Sequence, residues 1–422
     1  MQPVLGLIED TALPAVGDRR RHLLAAMGRQ TVQEHRVGPR PGHQRIVHGV
    51  AREGTQPLAC FLLLAHRSPD VGVDRRGPIG RFGGVIRQQH LTGIAEAVLT
   101  RLLPRVQTWL ESQHGAVAGG AFVVLGLGKL GSRELTIGSD LDLIFVFDAA
   151  DDGRSSGERP LPASTYFARL GQRLVSALTA QTAEGGLYEI DTRLRPSGNL
   201  GPVACSLANF ERYQMQTAET WEHQALTRAR VVAGDTALGE KVEAAVQRAL
   251  RQPRPNPELA REIAAMRARI FREHGDRDAW NLKHARGGLV EAEFLAQYLQ
   301  LRFAPDHPML LTSNTVDTFE RAAATGVLPL GDSVLLIRAI KLYRRLQAVL
   351  RLSVGERFDA AAAPQGLRRA LLRAAAVDHE FDRPGLDFAV LERDLKAMQA
   401  AVVTIFEQLC PAAEQKDQET PP

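Results

Sequence analysis

Cysteine is scarce in this chain of 422 residues: Cys60, Cys205 and Cys410 are isolated and odd in number. That excludes a disulfide framework and a thiolate metal cage, and it suits a reducing cytoplasm. Long apolar runs are missing too. Residues 58–65 form the one sustained apolar stretch in the first 90 positions, far short of the roughly 20 residues a membrane helix needs. No charged, then apolar, then small-residue leader opens the sequence, so a cytoplasmic protein without a membrane role is expected.

Residues 1–90 lack Lys, Tyr and Trp altogether. They hold 13 Arg against 7 acidic residues, six of the chain's twelve His, and Gly or Pro every few positions. Neither helical nor strand periodicity stands out, so the segment reads as an atypical basic extension, either disordered or not native coding sequence. Its His- and Arg-rich stretch, 36–48, lacks metal-ligand spacing. Its surplus of six positive charges exceeds the +4 of the whole chain, which leaves residues 91–422 at −2. The pI of 9.1 therefore describes the extension and not the remainder. A basic face interleaved with aromatics, as nucleic acid requires, is not found there.

What is present is concentrated between residues 121 and 148. Gly128 stands ahead of an Asp140-x-Asp142 pair on an apolar strand, in which Leu141, Leu143, Phe145 and Phe147 alternate with Asp140, Asp142, Ile144 and Val146. Side chains alternate faces along a strand, so the two acids project from one side, roughly 6–7 Å apart at Cα. Their repulsion is roughly 2–3 kcal/mol at an effective dielectric near 20. A divalent cation would remove that cost and make the pair a phosphate-handling site. Gly126, Gly128 and Gly131 also fit a dinucleotide fingerprint behind an apolar strand. That reading fails on space: residues 132–139 are too few for the crossover helix a parallel unit needs, and they include Gly138. A tight turn with short helical character fits instead.

Gly-x11-Asp-x-Asp after such a turn resembles the signature of the polymerase-β-like nucleotidyltransferase superfamily. There the turn holds a nucleoside triphosphate, two carboxylates bind metal, and a third arrives on a later strand. Residues 187–198 supply that strand, with Glu189, Asp191, Arg193 and Arg195 alternating onto one face. Phe167, Leu170, Leu174 and Leu178 predict a helix over about 163–182 between the two strands. Three further stretches narrow the resemblance: Arg-Leu-Arg-Pro-Ser-Gly at 193–198, Thr-Trp-Glu-His-Gln-Ala-Leu-Thr-Arg-Ala-Arg at 220–230, and Gly-Gly-Leu-Val-Glu-Ala-Glu-Phe at 287–294. They follow the order of bacterial glutamine synthetase adenylyltransferase/adenylyl-removing enzymes. Trp221-Glu222-His223, and Gln297 followed by Asn314, look like the carboxy-terminal, adenylylating half of that family. Glu291 departs from the family's usual Asp but keeps the charge.

The resemblance implies an α+β chain: a nucleotidyltransferase domain with a small mixed sheet over 91–235 and an all-α bundle over 236–410, while the polar composition of 411–422 predicts a disordered tail. Amphipathic stripes support the bundle: Leu259, Ile263, Met266 and Ile270 on one helix, then Leu336, Ile340, Tyr343, Leu346 and Leu350 over 335–352, then a helix over 388–409. It further implies transfer of AMP from ATP to a tyrosine of glutamine synthetase, lowering that enzyme's activity in nitrogen regulation. Asp140, Asp142 and Asp191 would hold two Mg²⁺ ions. Gly128, Lys129, Gly131, Ser132, Ser139, Arg193 and Arg195 would bind the nucleotide. Lys283 and Glu293 are weaker candidates, and Trp221 reads as packing. The family's regulator, the PII signalling protein, acts on members with two catalytic copies, whereas this chain shows one, lacking the deadenylylating half. Two alternatives stay open: a non-catalytic fragment that binds glutamine synthetase or nucleotide, and a nucleotidyltransferase with another acceptor.

Overall fold

The computed structural model describes residues 88–411, apart from 184, 276–277, 355–357 and 379–386. The expectations for residues 1–87 and for the tail beyond 411 lie outside the described residues. Helix α1 (Gln88–His114) leads into β1 (Ala121–Gly126), the one-turn helix α2 (Gly128–Gly131), β2 (Leu141–Asp148) and α3 (Ala163–Leu178). Then follow β3 (Ile190–Asp191), β4 (Ala204–Ser206), α4 (Leu207–Gln216), α5 (Thr220–Leu226) and β5 (Arg230–Gly234).

The strands form one mixed sheet in the order β3-β2-β1-β5, with β4 also on β2. β1 and β2 are antiparallel, with Gly126 opposite Leu143. That pairing is incompatible with a parallel dinucleotide-binding crossover and agrees with the short connection. β3 and β4 both run parallel to β2, pairing with residues 141–142 and 145–147 in turn. The sheet is buried on both faces because its central strands are apolar throughout. On one face Phe122, Val124, Phe145 and Phe147 pack with Leu99 and Leu103 of α1 and Phe167, Leu170 and Leu174 of α3. Phe147 and Phe167 stack at 4.8 Å between centroids.

Two expectations need correction in extent. The helix foreseen to 182 ends at Leu178, followed by a turn. The strand foreseen through Arg195 ends at Asp191, whose carboxylate accepts from the Arg193 backbone N–H and so starts a turn, and the chain turns again past Pro196, where Ser197 is left-handed at φ 62°. Alternation therefore places Asp191 correctly but does not extend to the two arginines.

The remainder is helical: α6 (Thr236–Leu250), α7 (Asn256–His274), α8 (Leu289–Phe303), α9 (Thr315–Ala324), α10 (Leu330–Ser353), α11 (Gln365–Ala375) and α12 (Phe388–Leu409). α8 is buried on nearly every side and packs against α7, α9, α10 and α12, as expected of a helix apolar all round. The foreseen stripes face the core: Leu259, Ile263, Met266 and Ile270 on α7, and Leu336, Ile340, Tyr343 and Leu346 on α10, whereas Leu350, the last of the foreseen α10 stripe, is half-buried. α10 starts five residues earlier than the apolar period suggests, at a turn set by Pro329. Among the described residues no helix is long and apolar enough to cross a membrane.

Candidate metal and phosphate site

Parallel pairing of β2 with β3 sets Asp142 directly beside Asp191, and Asp140 precedes Asp142 by two residues on the same face. One carboxylate oxygen from each of the three lies within 4.8 Å of the others. Burial pushes the Asp142 carboxyl up to about 7, and the neighbouring Asp140 and Asp191 push the same way, with Arg228 and Lys283 opposing. Three carboxylates crowded at a partly dry strand end are held against their mutual repulsion. An all-oxygen set of this kind suits a hard divalent cation. Asp191 is gripped by its own turn: the Arg193 backbone N–H donates to Oδ1 at 2.8 Å, Nε reaches both oxygens at 3.0 Å, and Nη2 donates to Oδ2.

The glycine turn sits against this cluster. Leu127 N donates to the Asp142 carbonyl at 2.9 Å, and Gly128 adopts φ 51°. A Cβ at Gly128 would fall 2.0 Å from Asp142 Oδ2, so glycine is needed both for its conformation and for its lack of bulk. Gly128→Ala is expected to displace the Asp142 carboxylate and weaken Mn²⁺ binding at least about tenfold, the equivalent of roughly 1.4 kcal/mol. Titration of the metal by calorimetry checks this, and unchanged affinity would refute it. Gly131 serves packing: its Cβ would lie 1.9 Å from the Arg228 carbonyl.

Cations ring the carboxylates. Lys129 Nζ donates to Thr136 Oγ1 at 3.2 Å. Burial lowers its ammonium to about 7, helped by Arg351, Lys283 and Arg228 and opposed by Glu293. Lys283, from the loop before α8, is likewise pushed below its usual value by burial, while Glu293, Asp140 and Asp142 oppose that. Arg351 of α10 donates to Thr136 Oγ1 at 2.7 Å and to the Ile137 carbonyl at 3.2 Å. Cations that repel one another beside a group of anions form a setting in which a metal–polyphosphate would relieve both strains.

Two foreseen residues, Ser132 and Arg195, are turned inward. Ser132 is fully buried; its hydroxyl faces the Gly128 carbonyl at 2.9 Å and Glu134 Oε2 at 3.0 Å, and accepts from Arg228 Nη2 at 2.7 Å. It braces the turn from behind and does not face the acids. Arg195 is also buried, donating to the carbonyls of Thr192 (2.7 Å) and Pro202 (3.0 Å), so it shapes the loop after Asp191. Ser139 Oγ is hydrogen-bonded to Thr136 Oγ1 at 2.8 Å. The 220–230 motif is structural at its start. Trp221 Nε1 donates to Glu219 (2.7 Å), Tyr213 donates to Glu222 (2.7 Å), and His223 Nε2 meets the Gln214 carbonyl at 2.9 Å. Burial, with Arg254 beside it, pulls His223 down to about 4. Gln224 Nε2 donates to Gln297 of α8 at 3.0 Å.

Sequence reasoning missed a buried hub behind the turn. Glu134 pairs with Arg228 at 2.5 Å and with Arg344 of α10 at 2.7 Å, and Arg228 also pairs with Glu293 at 3.2 Å. Burial pushes the Glu134 carboxyl up, but Arg344 and Arg228 outweigh it and hold it below its usual value. Thr315 N donates to Glu134 at 3.3 Å, and Asn314 Nδ2, beside its capping role on α9, donates to the Ser132 carbonyl at 3.1 Å. The available signal was modest: Arg344 and Arg351, two turns apart on one face of α10. Glu291 instead points away, paired with Arg267 (3.1 Å) and Arg286 (2.6 Å).

Comparison with known proteins adds the following. Residues 86–245 match the model of the family described as glutamate-ammonia ligase adenylyltransferase, and residues 259–410 match that described as GlnD PII-uridylyltransferase. The chain is 47% identical over 322 residues to a bifunctional glutamine synthetase adenylyltransferase/adenylyl-removing enzyme of Xanthobacter autotrophicus, covering 76% of this chain and 32% of that protein. It is 43% identical over 331 residues to the protein of the same description in Bradyrhizobium sp. (78% and 33%). In Rhodopseudomonas palustris the figure is 42% over 317 residues (75% and 31%). The chain spans about a third of the length of the curated relatives it matches.

Proposed function

We propose, for a chain that belongs to the glutamine synthetase adenylyltransferase/adenylyl-removing enzyme family, that it transfers AMP from ATP to a tyrosine hydroxyl of glutamine synthetase and thereby lowers that enzyme's activity. One observation carries this: three carboxylates within 4.8 Å of one another, next to a glycine turn that leaves no room for a side chain. Asp140, Asp142 and Asp191 would hold two divalent ions, Mg²⁺ by family resemblance. When bound, those ions neutralise phosphate charge and lower the pKa of an acceptor hydroxyl, which for free tyrosine is about 10.

The chain's own residues do the rest. Gly128 lets backbone and nucleotide approach Asp142 closely. Lys129 and Lys283 offset triphosphate charge, and Arg193 holds Asp191 oriented toward the acceptor side. The phenolic oxygen gives up its proton to solvent and forms a bond to the α-phosphorus, the bond from that phosphorus to the bridging oxygen of the β-phosphate breaks, and pyrophosphate leaves. Glutamine synthetase is the protein substrate in this reading. Nucleotidyltransferase residues 91–235 and bundle residues 236–410 act together, in the cytoplasm.

The test is transfer of labelled AMP from ATP to purified glutamine synthetase, with Asp140→Asn/Asp142→Asn alongside. Label on the synthetase that disappears in the variant supports the reading. No label from folded wild-type protein, or label on RNA or a small hydroxyl compound instead, rejects it.

A further inference from the structure

The loop between the glycine turn and Asp140 has few polar partners, and its protons can be assigned. Thr136 Oγ1 is met by Lys129 Nζ at 3.2 Å, by Arg351 Nη1 at 2.7 Å and by Ser139 Oγ at 2.8 Å. A guanidinium only donates, and Lys129 in its ammonium form, which a nearby phosphate favours, donates here as well. Both lone pairs of the threonine oxygen are thereby filled, so its proton goes to Ser139 Oγ. That oxygen also accepts from the Thr136 backbone N–H at 3.2 Å. The Ser139 hydroxyl is left with a proton to offer and no lone pair, and none of the described residues accepts that proton. Ser139 is buried and immediately precedes Asp140.

We infer that Arg351, brought by α10 from the helical bundle, is a positioning residue for the nucleotide: by filling a lone pair of Thr136 it makes the Ser139 hydroxyl an obligate donor to a phosphate oxygen beside the three carboxylates. The inference rests on the nucleotide reading above and deepens it. Without Arg351, Thr136 Oγ1 has a lone pair to spare for Ser139, and the serine proton turns inward. Arg351 also holds the loop through the Ile137 carbonyl at 3.2 Å. Its action on the nucleotide thus runs through a residue it does not itself touch.

Calorimetric titration of Mg·ATP into the full chain tests this, using wild type, Arg351→Met, Arg351→Lys, Ser139→Ala and the Arg351→Met/Ser139→Ala double variant, each with a thermal melt. Arg351→Met and Ser139→Ala are each expected to weaken binding about tenfold, the scale of one hydrogen bond to a charged group. The double variant should bind no more weakly than Ser139→Ala, and Arg351→Lys should recover most of the affinity. A double variant in which the two losses multiply, to about a hundredfold, overturns the inference, because Arg351 then acts independently of Ser139. Unchanged affinity in Arg351→Met overturns it too, whatever the melt shows. Wild type that binds no Mg·ATP removes the nucleotide reading and this inference together, whereas the multiplied loss removes this inference alone.

Discussion

Asp142→Asn is expected to abolish the proposed metal-dependent AMP transfer, by at least about a hundredfold, while leaving the metal-free chain as stable as wild type or more so at neutral pH. A hundredfold corresponds to roughly 3 kcal/mol, well within the charge stabilisation a bound metal supplies. The stability half follows from linkage. In the folded chain the Asp142 carboxyl is raised to about 7 by burial and by Asp140 and Asp191, against about 3.9 for an unfolded chain. Between those values the folded state holds a proton that the unfolded state has released. Its contribution is fully present below about pH 4 and is lost as pH rises through 7. Melts in chelator at pH 5 and pH 8 should therefore show a loss in wild type that Asn reduces. Mg²⁺ at pH 8 should restore wild type and not the variant. An Asn variant that melts well below wild type at pH 8 would sink the argument.

Glu134→Ala should be the most destabilising single change near the site. The carboxylate is buried between Arg228 and Arg344, and removing one partner of a buried ion pair costs about 3–5 kcal/mol. Glu293, 3.2 Å from Arg228 and 3.9 Å from Arg344, partly compensates the stranded guanidiniums, so the lower end of that range is expected. Urea unfolding followed by far-ultraviolet dichroism measures it. A loss under about 1 kcal/mol would mean that the hub is solvated and carries little of the fold. Glu134→Gln, which keeps an acceptor for Thr315 but no charge, should fall between the two.

The acidic pair was legible in the sequence because strand alternation is local: Asp140 and Asp142 share a face whatever else the chain does. The helical stripes on α7 and α10 were legible for the same reason, at a different period. Asp191 was legible through family resemblance joined to alternation, although its strand is two residues long and register, not length, sets it beside Asp142. The hub was not legible. Glu134 and Arg228 are 94 positions apart, and Thr136 and Arg351 are 215 apart; no periodicity spans such distances. Ser132 and Arg195 sit in motifs whose residue types suggest phosphate contact, yet packing turns both inward. Residue type shows what a side chain can do, and only the tertiary fold decides which way it faces.

The two family matches meet between residues 246 and 258, where the chain passes from α6 to α7 and where a designer would place a cut. The spacer between Gly128 and Asp140 argues against cutting there. The side chains of Asn314, Thr315, Arg344 and Arg351 all reach back across that seam to residues 132–137. A truncated amino-terminal piece would keep every aspartate and still expose Glu134 without one of its arginines. As a unit of inheritance, the glycine turn and the α9–α10 pair are therefore one module. Swapping bundles between relatives should succeed only when these four side chains travel with the turn they hold.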